Sequence, residues 1–301
     1  MREVISPQQF TAAGLQIESD APSALTSHLH GRFSHIQIPG APHHLTIRYN
    51  HGRQIHRGET ILLRTSTSAN AVSTSTDHQL WIYGEHQDVL LTLGSSSSIE
   101  VWSETDAPGE PLSLAFLEVL RTIGIIPLHA AVTSEDHGAS AFLGETGSGK
   151  TTALISALLS GAQPLTDGLG LYVPGMRLVF GTDPGLQCQT DTLAFLSQHF
   201  PLNGPLTVAH GKTLVPWATI GTCWKTQAPL AEACVLRRND LRAPGDYHLP
   251  VSQRVMALWA STGMPLRPRT RDWTLAHLKM LASQIHWCER VLPDGPPTDP
   301  G

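Results

Sequence analysis

Ala139-Ser140-Ala141-Phe142-Leu143-Gly144-Glu145-Thr146-Gly147-Ser148-Gly149-Lys150-Thr151 is a short, largely apolar run that leads directly into a loop with three glycines, a lysine and a threonine. Its first part has the length and bulk of a buried strand. The residues after the loop, Thr151 to Leu159, put Ala153, Leu154, Ala157 and Leu158 on one helical face, and Gly161 supplies a stop signal. Strand, loop and helix in that order are the setting in which Gly-x-x-x-x-Gly-Lys-Thr cradles phosphate. Glycines let backbone N–H groups turn inward without a clashing side chain. Lys150 can then reach β- and γ-phosphates, the Thr151 hydroxyl can ligate magnesium, and the following helix adds the positive end of its dipole. The expectation is ATP with Mg2+, held by Gly144, Glu145, Thr146, Gly147, Ser148, Gly149, Lys150, Thr151 and Thr152. The loop alone does not separate kinases from hydrolases, motors or nucleotide sensors, because the same cradle serves all of them.

Upstream the texture is different. Leu45 to Tyr49, Thr60 to Arg64, Gln79 to Tyr83 and Val89 to Leu93 read as strands divided by polar breaks, so the first part is expected to be a small, mostly antiparallel sheet domain. Ser103 to Gly109 reads as a linker, and apolar residues from Leu112 to Ile123 recur at helical spacing. Downstream, Leu169 to Val173, Leu178 to Phe180, Lys212 to Val215 and Ala231 to Leu236 are strand candidates, and Val251 to Ser261 and Leu275 to Trp287 are expected as closing helices. The implied division is a β-rich domain over 1–108, an α/β nucleotide-binding domain over 109–292, and a Pro- and Gly-rich disordered tail over 293–301.

Composition narrows the class. With 41% hydrophobic and 15% charged residues in 301, the chain can fill a large core, and no apolar run approaches the roughly 20 residues needed to span a membrane. The formal charge of -5 offers no general attraction to nucleic acid. Arg267-Pro268-Arg269-Thr270-Arg271 is a local basic cluster, read as a solvated surface loop, with a binding loop for phosphates or an acidic peptide as the alternative. The four cysteines are scattered, with no Cys-x-x-Cys pair, which fits a reducing cytoplasm. The seven tryptophans read as core or interface anchors, and Lys212 reads as an ordinary surface lysine, with a place facing phosphate or substrate as the alternative.

Two positions flank the loop. His129, in Pro127-Leu128-His129-Ala130, lies 15 residues before Gly144, and Asp167, in Leu165-Thr166-Asp167-Gly168, lies 23 residues after it. An Asp at the edge of the strand after the loop helix can take a proton from an attacking hydroxyl or hold the metal. From Leu128 to Asp167 the chain resembles the HPr serine kinase family and its shorter relatives, which include kinases of lasso-type precursor peptides. The resemblance covers about Ile125 to Arg237 and implies a P-loop domain of the HPr kinase/PEP carboxykinase-like type. It also implies phosphoryl transfer to a serine of a peptide or small protein, with Asp167 as base, His129 beside it, and Thr151 and Asp167 on the metal. Ring-forming family members make a homo-oligomer an open alternative, and no nucleic-acid or membrane partner is implied. The chain departs from the family at Gly168, where a second acidic residue is usual; Glu145, Asp183 and Asp191 are the nearby substitutes. A nucleotide-binding regulator without chemistry and a small-molecule kinase are the alternatives.

Overall fold

The computed structural model describes residues 7–40, 43–54, 61–64, 69–76, 78–209, 211–238 and 242–293. Thr60, at the start of one expected strand, and the tail from residue 294 lie outside the described residues. The fold is mixed α/β and divides into two compact units: residues 1–124 with 265–272, and residues 125–264 with 273–301.

The first unit contains β1 (Gln8–Ala12), β2 (Leu15–Ser19), α1 (Ser23–Phe33), β3 (His43–His51), β4 (Ile61–Arg64), β5 (Ala69–Thr76), β6 (Gln79–Tyr83), β7 (Gln87–Thr92), β8 (Ser97–Ser103) and α2 (Glu110–Thr122). Among the described residues these strands form one eight-stranded sheet in the order β1-β2-β3-β8-β7-β6-β5-β4. Most neighbours are antiparallel, as expected, but β2–β3 and β3–β8 are parallel. Period-two alternation sets the buried face: Leu45 and Ile47, Leu80 and Ile82, Val89 and Leu91, and Ile99 and Val101 are fully buried. α2 packs on β7 and β8 through Leu112, Ala115, Phe116, Val119 and Leu120, which makes it part of this unit. The division therefore falls after Gly124, where the linker composition had suggested residue 108. Pro111 in the first turn and Gly124 at φ +89° just past the last turn bracket α2, as helix-end preferences require.

A buried carboxylate explains why residues 265–272 return to this unit. Glu118 is fully buried; its Oε2 accepts from the Arg121 guanidinium at 3.3 Å and from the Leu266 backbone N–H at 3.1 Å, and its Oε1 accepts from the Thr270 hydroxyl. The basic stretch Arg267 to Arg271 is thus no solvated loop. It opens a helix with Pro268 as first residue, and Arg267 is buried.

The second unit contains β9 (Ile126–Leu128), β10 (Ala131–Glu135), β11 (Gly138–Leu143), α3 (Lys150–Leu159), β12 (Gln163–Thr166), β13 (Gly170–Val173), β14 (Leu178–Gly181), β15 (Gly185–Cys188), α4 (Thr190–His199), β16 (Thr207–Ala209), β17 (Lys212–Pro216), β18 (Gln227–Arg237), β19 (Gly245–Tyr247), α5 (Val251–Ser261), α6 (Pro268–Gln284, shared with the first unit) and β20 (His286–Val291). Its main sheet runs β12-β10-β11-β18-β14-β13-β9, with β20 also on β18 and β19 on β20. β18 lies parallel to β11 along one edge; along the other, its first part pairs with β14 and its second part with β20. A smaller sheet runs β15-β17-β16.

Alternation along β11 and β18 builds two cores. Ala139, Ala141, Leu143, Ala233 and Val235 face the cluster shared with α5 and α6, while Phe142, Cys234 and Leu236 face the cluster shared with α3 and α4. Trp217 is fully buried, and Trp224 and Trp259 pack against these cores, which is the anchoring role expected of them. The expected helix Leu275 to Trp287 begins earlier and ends at Gln284, and Trp287 belongs to β20. Apolar spacing continues through Leu278, Leu281, Ala282 and Ile285 across the helix end, so periodicity does not mark the break.

Replacing Glu118 with Ala removes the acceptor shared by Arg121, Leu266 and Thr270 and is expected to destabilise the fold by about 3 kcal/mol or more. A urea titration comparing Glu118→Ala with Glu118→Gln, which keeps one acceptor oxygen, checks this through a larger fall in midpoint for Ala.

Candidate active site

The loop leaves the sheet at the end of β11. Gly144 has φ +149°, and a Cβ there would stand 2.5 Å from Ser148 Oγ and 2.9 Å from the Leu236 carbonyl oxygen, so no side chain fits. Gly147 and Gly149 follow at φ +82° and +97°. Gly149 is the left-handed cap from which α3 starts, so Lys150 is the first helical residue and the free N–H groups of the first turn face the loop. At its other end α3 closes in a Schellman turn: Gly161 N–H donates to the Leu158 carbonyl and Ala162 N–H to the Ala157 carbonyl, each at 3.0 Å.

Lys150 Nζ donates to the carbonyls of Gly144 at 2.9 Å and Glu145 at 3.0 Å, which holds its ammonium over the mouth of the loop. Burial lowers its pKa, the Asp167 carboxylate opposes that, and the Lys212 charge reinforces it. Ser148 Oγ is buried in the same loop without a hydrogen-bond partner.

Asp167 follows β12, on the turn to β13. Its Oδ2 accepts from Gln187 N–H at 2.8 Å, whereas its Oδ1 is buried with no hydrogen-bond partner. Burial pushes its pKa up to about 7, against the hydrogen bonds from Gln187 and the Thr151 hydroxyl; the Asp183 charge raises it further and Lys212 lowers it. A buried carboxylate with one unused oxygen beside a threonine hydroxyl is the donor set that a divalent cation or a hydroxyl proton would satisfy. Among the described residues no cluster of three His, Cys, Asp or Glu forms a metal site by itself, so a cation here would draw most of its ligands from phosphate and water.

Asp183 does not replace the acidic residue absent at Gly168. Its Oδ2 accepts from the Thr166 hydroxyl at 2.5 Å, Gly168 N–H at 2.7 Å and Leu169 N–H at 3.0 Å, so it builds the turn that presents Asp167. Trp217 Nε1 fixes Asp183 from behind by donating to its carbonyl at 2.8 Å. Of the other two substitutes, Glu145 is exposed and contributes only its carbonyl, and Asp191 sits exposed in the first turn of α4.

His129 lies on the other side of the turn, held by its N–H to the Ser261 carbonyl at 2.6 Å, with its ring on the Gly168 backbone. The residue is exposed to solvent. Partial loss of hydration and then the Lys150 charge lower its pKa, with Gly168 and Asp183 opposing and Lys212 reinforcing, which favours a neutral imidazole at pH 7.

The structure therefore brings Lys150, Thr151, Asp167 and His129 together. It adds Lys212, whose charge acts on Lys150, Asp167 and His129, and which sequence reasoning had treated as ordinary surface. Only its place after Gly211 at a strand start hinted at more. Thr152 faces a different space, a cleft of about 380 Å³ along α3. Cys188, also within the field of Asp167, has its thiol pushed up to about 12 by burial and is no nucleophile at neutral pH.

No protein-family model matches the chain, and no curated protein matches it significantly. Among the described residues no helix is long and apolar enough to cross a membrane.

The raised pKa of Asp167 has a stability consequence. Because the folded value of about 7 exceeds the ordinary 3.8, the native state holds a proton that the unfolded chain releases, and its contribution is lost as pH rises from about 4 to about 7. Denaturation at pH 4.5 and pH 8 is expected to show Asp167→Asn gaining stability relative to the parent across that interval, with the difference level above it.

Proposed function

We propose that this protein is an ATP-dependent kinase that transfers the γ-phosphoryl group to a serine hydroxyl of a peptide or small protein, in a domain of the HPr kinase/PEP carboxykinase-like P-loop type. The observation that carries the reading is the unused Oδ1 of buried Asp167 beside the Thr151 hydroxyl, at the foot of a loop over which Lys150 is already folded. Loop N–H groups and Lys150 would hold the β- and γ-phosphates, and Thr151 with Asp167 would hold Mg2+, which supplies charge neutralisation when bound.

The remaining work falls to the protein. Asp167 accepts the serine proton as the hydroxyl oxygen bonds to the γ-phosphorus and the bond to the ADP oxygen breaks. Burial raises the proton affinity of the Asp167 carboxylate above that of an ordinary aspartate, which suits it to accepting a proton. Asp183 and His129 act as positioning residues through the Gly168 turn, and Lys212 adds positive charge where phosphate charge gathers. The lasso-type precursor peptides suggested by the sequence resemblance are the first acceptors to test. A second reading, a nucleotide-binding regulator, is favoured by one feature: Gly168 lacks the second acid and the Asp183 carboxylate is engaged in the turn.

Incubation with γ-labelled ATP, Mg2+ and serine-containing precursor peptides separates the two. The kinase reading expects Lys150→Ala to lose ATP binding and transfer. Asp167→Ala is expected to keep binding within a few-fold and lower transfer by about 100-fold or more. In the parent, transfer is expected to rise with pH as Asp167 deprotonates, and Asp167→Ala to lack that limb. Full transfer by Asp167→Ala would refute its role as base. Tight binding with no labelled product under any metal would favour the regulator.

A further inference from the structure

The cleft along α3 has a direction. β11 and β18 run parallel, with Ser140 beside Glu232 and Phe142 beside Cys234, so both strands advance toward the loop end of the sheet. Thr152, Arg238 and Leu292 line the cleft at that end. Leu292 Cδ1 and the Arg238 guanidinium would lie 2.9 Å and 3.3–3.4 Å from a Cβ on Gly149, so this end of the cleft lies against the phosphate loop. Farther along, Ala153 and Ala157 of α3 face Cys234 and Cys288 across the cleft, giving an uncharged middle. Ser140, Glu232 and the exposed Glu135 line the far end, where Ser140 Oγ donates to Glu232 at 3.4 Å. From Thr152 to Ser160 the wall of α3 is about 12 Å long at the helical rise, comparable to a nucleoside. A volume of about 380 Å³ lies within the range of small-ligand sites.

The geometry points to this cleft as the seat of the nucleoside half of the triphosphate. The ribose lies at Thr152 and Arg238, and a flat purine lies between the α3 alanines and the two cysteines. The amino-bearing edge of the base reaches the acceptors Glu232 and Glu135. This inference rests on the nucleotide reading above. Each part of the cleft suits the matching part of the ligand: a guanidinium where charge is highest, small uncharged side chains where a ring must slide in, and carboxylates where N–H donors arrive. The Cys234–Cys288 pair supplies a built-in reporter. Cys288 is the more exposed of the two, so it is the thiol that an alkylating agent reaches first.

The test compares MgATP with magnesium tripolyphosphate, which has the phosphates and no nucleoside. By calorimetry the parent is expected to bind ATP at least tenfold more tightly than tripolyphosphate. Ala157→Trp, which fills the middle of the cleft, is expected to weaken ATP at least tenfold and tripolyphosphate less than twofold. The retained tripolyphosphate affinity shows that the variant is folded. In the parent, iodoacetamide labelling of Cys288, followed by peptide mass spectrometry, is expected to slow at least fivefold with saturating ATP and to be unchanged by tripolyphosphate. Equal affinity for the two ligands, or labelling of Cys288 unaffected by saturating ATP, overturns the cleft assignment while leaving the loop reading intact. Binding of neither ligand overturns the loop reading and the cleft assignment with it.

Discussion

The parallel pairing of β11 with β18 is the constraint on which the second unit depends. Because both strands are buried on both faces, their alternating side chains must satisfy two cores at once, and a one-residue slip would exchange Phe142, Cys234 and Leu236 with Ala141, Ala233 and Val235. That register fixes where β11 ends and therefore where the glycines must turn. It also sets the Leu236 carbonyl against Gly144 and carries Arg238 to the side of Gly149. The loop geometry is thus inherited from the core beneath it.

A second layer of control is electrostatic. Asp167, Asp183, Lys150, Lys212 and His129 act on one another in a small, poorly hydrated region. Asp183 is neutralised locally by a hydroxyl and two backbone N–H groups, which frees Asp167 to be the carboxylate with unspent capacity. Two acids 16 residues apart in sequence divide the work, one shaping the turn and the other facing the space above it.

Much of this was legible in the sequence where local chemistry decides. Strand, loop and α3 followed from apolar run, glycines and the Gly161 stop, and β6 and α5 were expected with their observed bounds. That His129 and Asp167 lie near the loop was expected from the family resemblance, which rests on their positions around it. What was not legible depends on distant partners. β20 reads like a helix end because its strand character comes from pairing with β18, and α1, β1 and β2 carry too few apolar repeats to stand out from the polar sequence around them. Lys212 shows the same limit at the site: one lysine at a strand start is unremarkable until the small sheet brings it toward Asp167. The basic run at Arg267 became the start of a helix because Glu118, far back in the chain, accepts from the backbone of Leu266.

The return of residues 265–272 to the first unit, before β20 completes the second, means that neither unit is a continuous piece of chain. During synthesis Glu118 has only Arg121 beside it until Leu266 and Thr270 have left the ribosome, and the second unit lacks β20 until Val291 has. The two therefore mature almost together, within the synthesis of about 20 residues. Splitting the gene after Gly124 would leave the first unit without residues 265–272, which the other fragment would carry as an insertion before α6 continues.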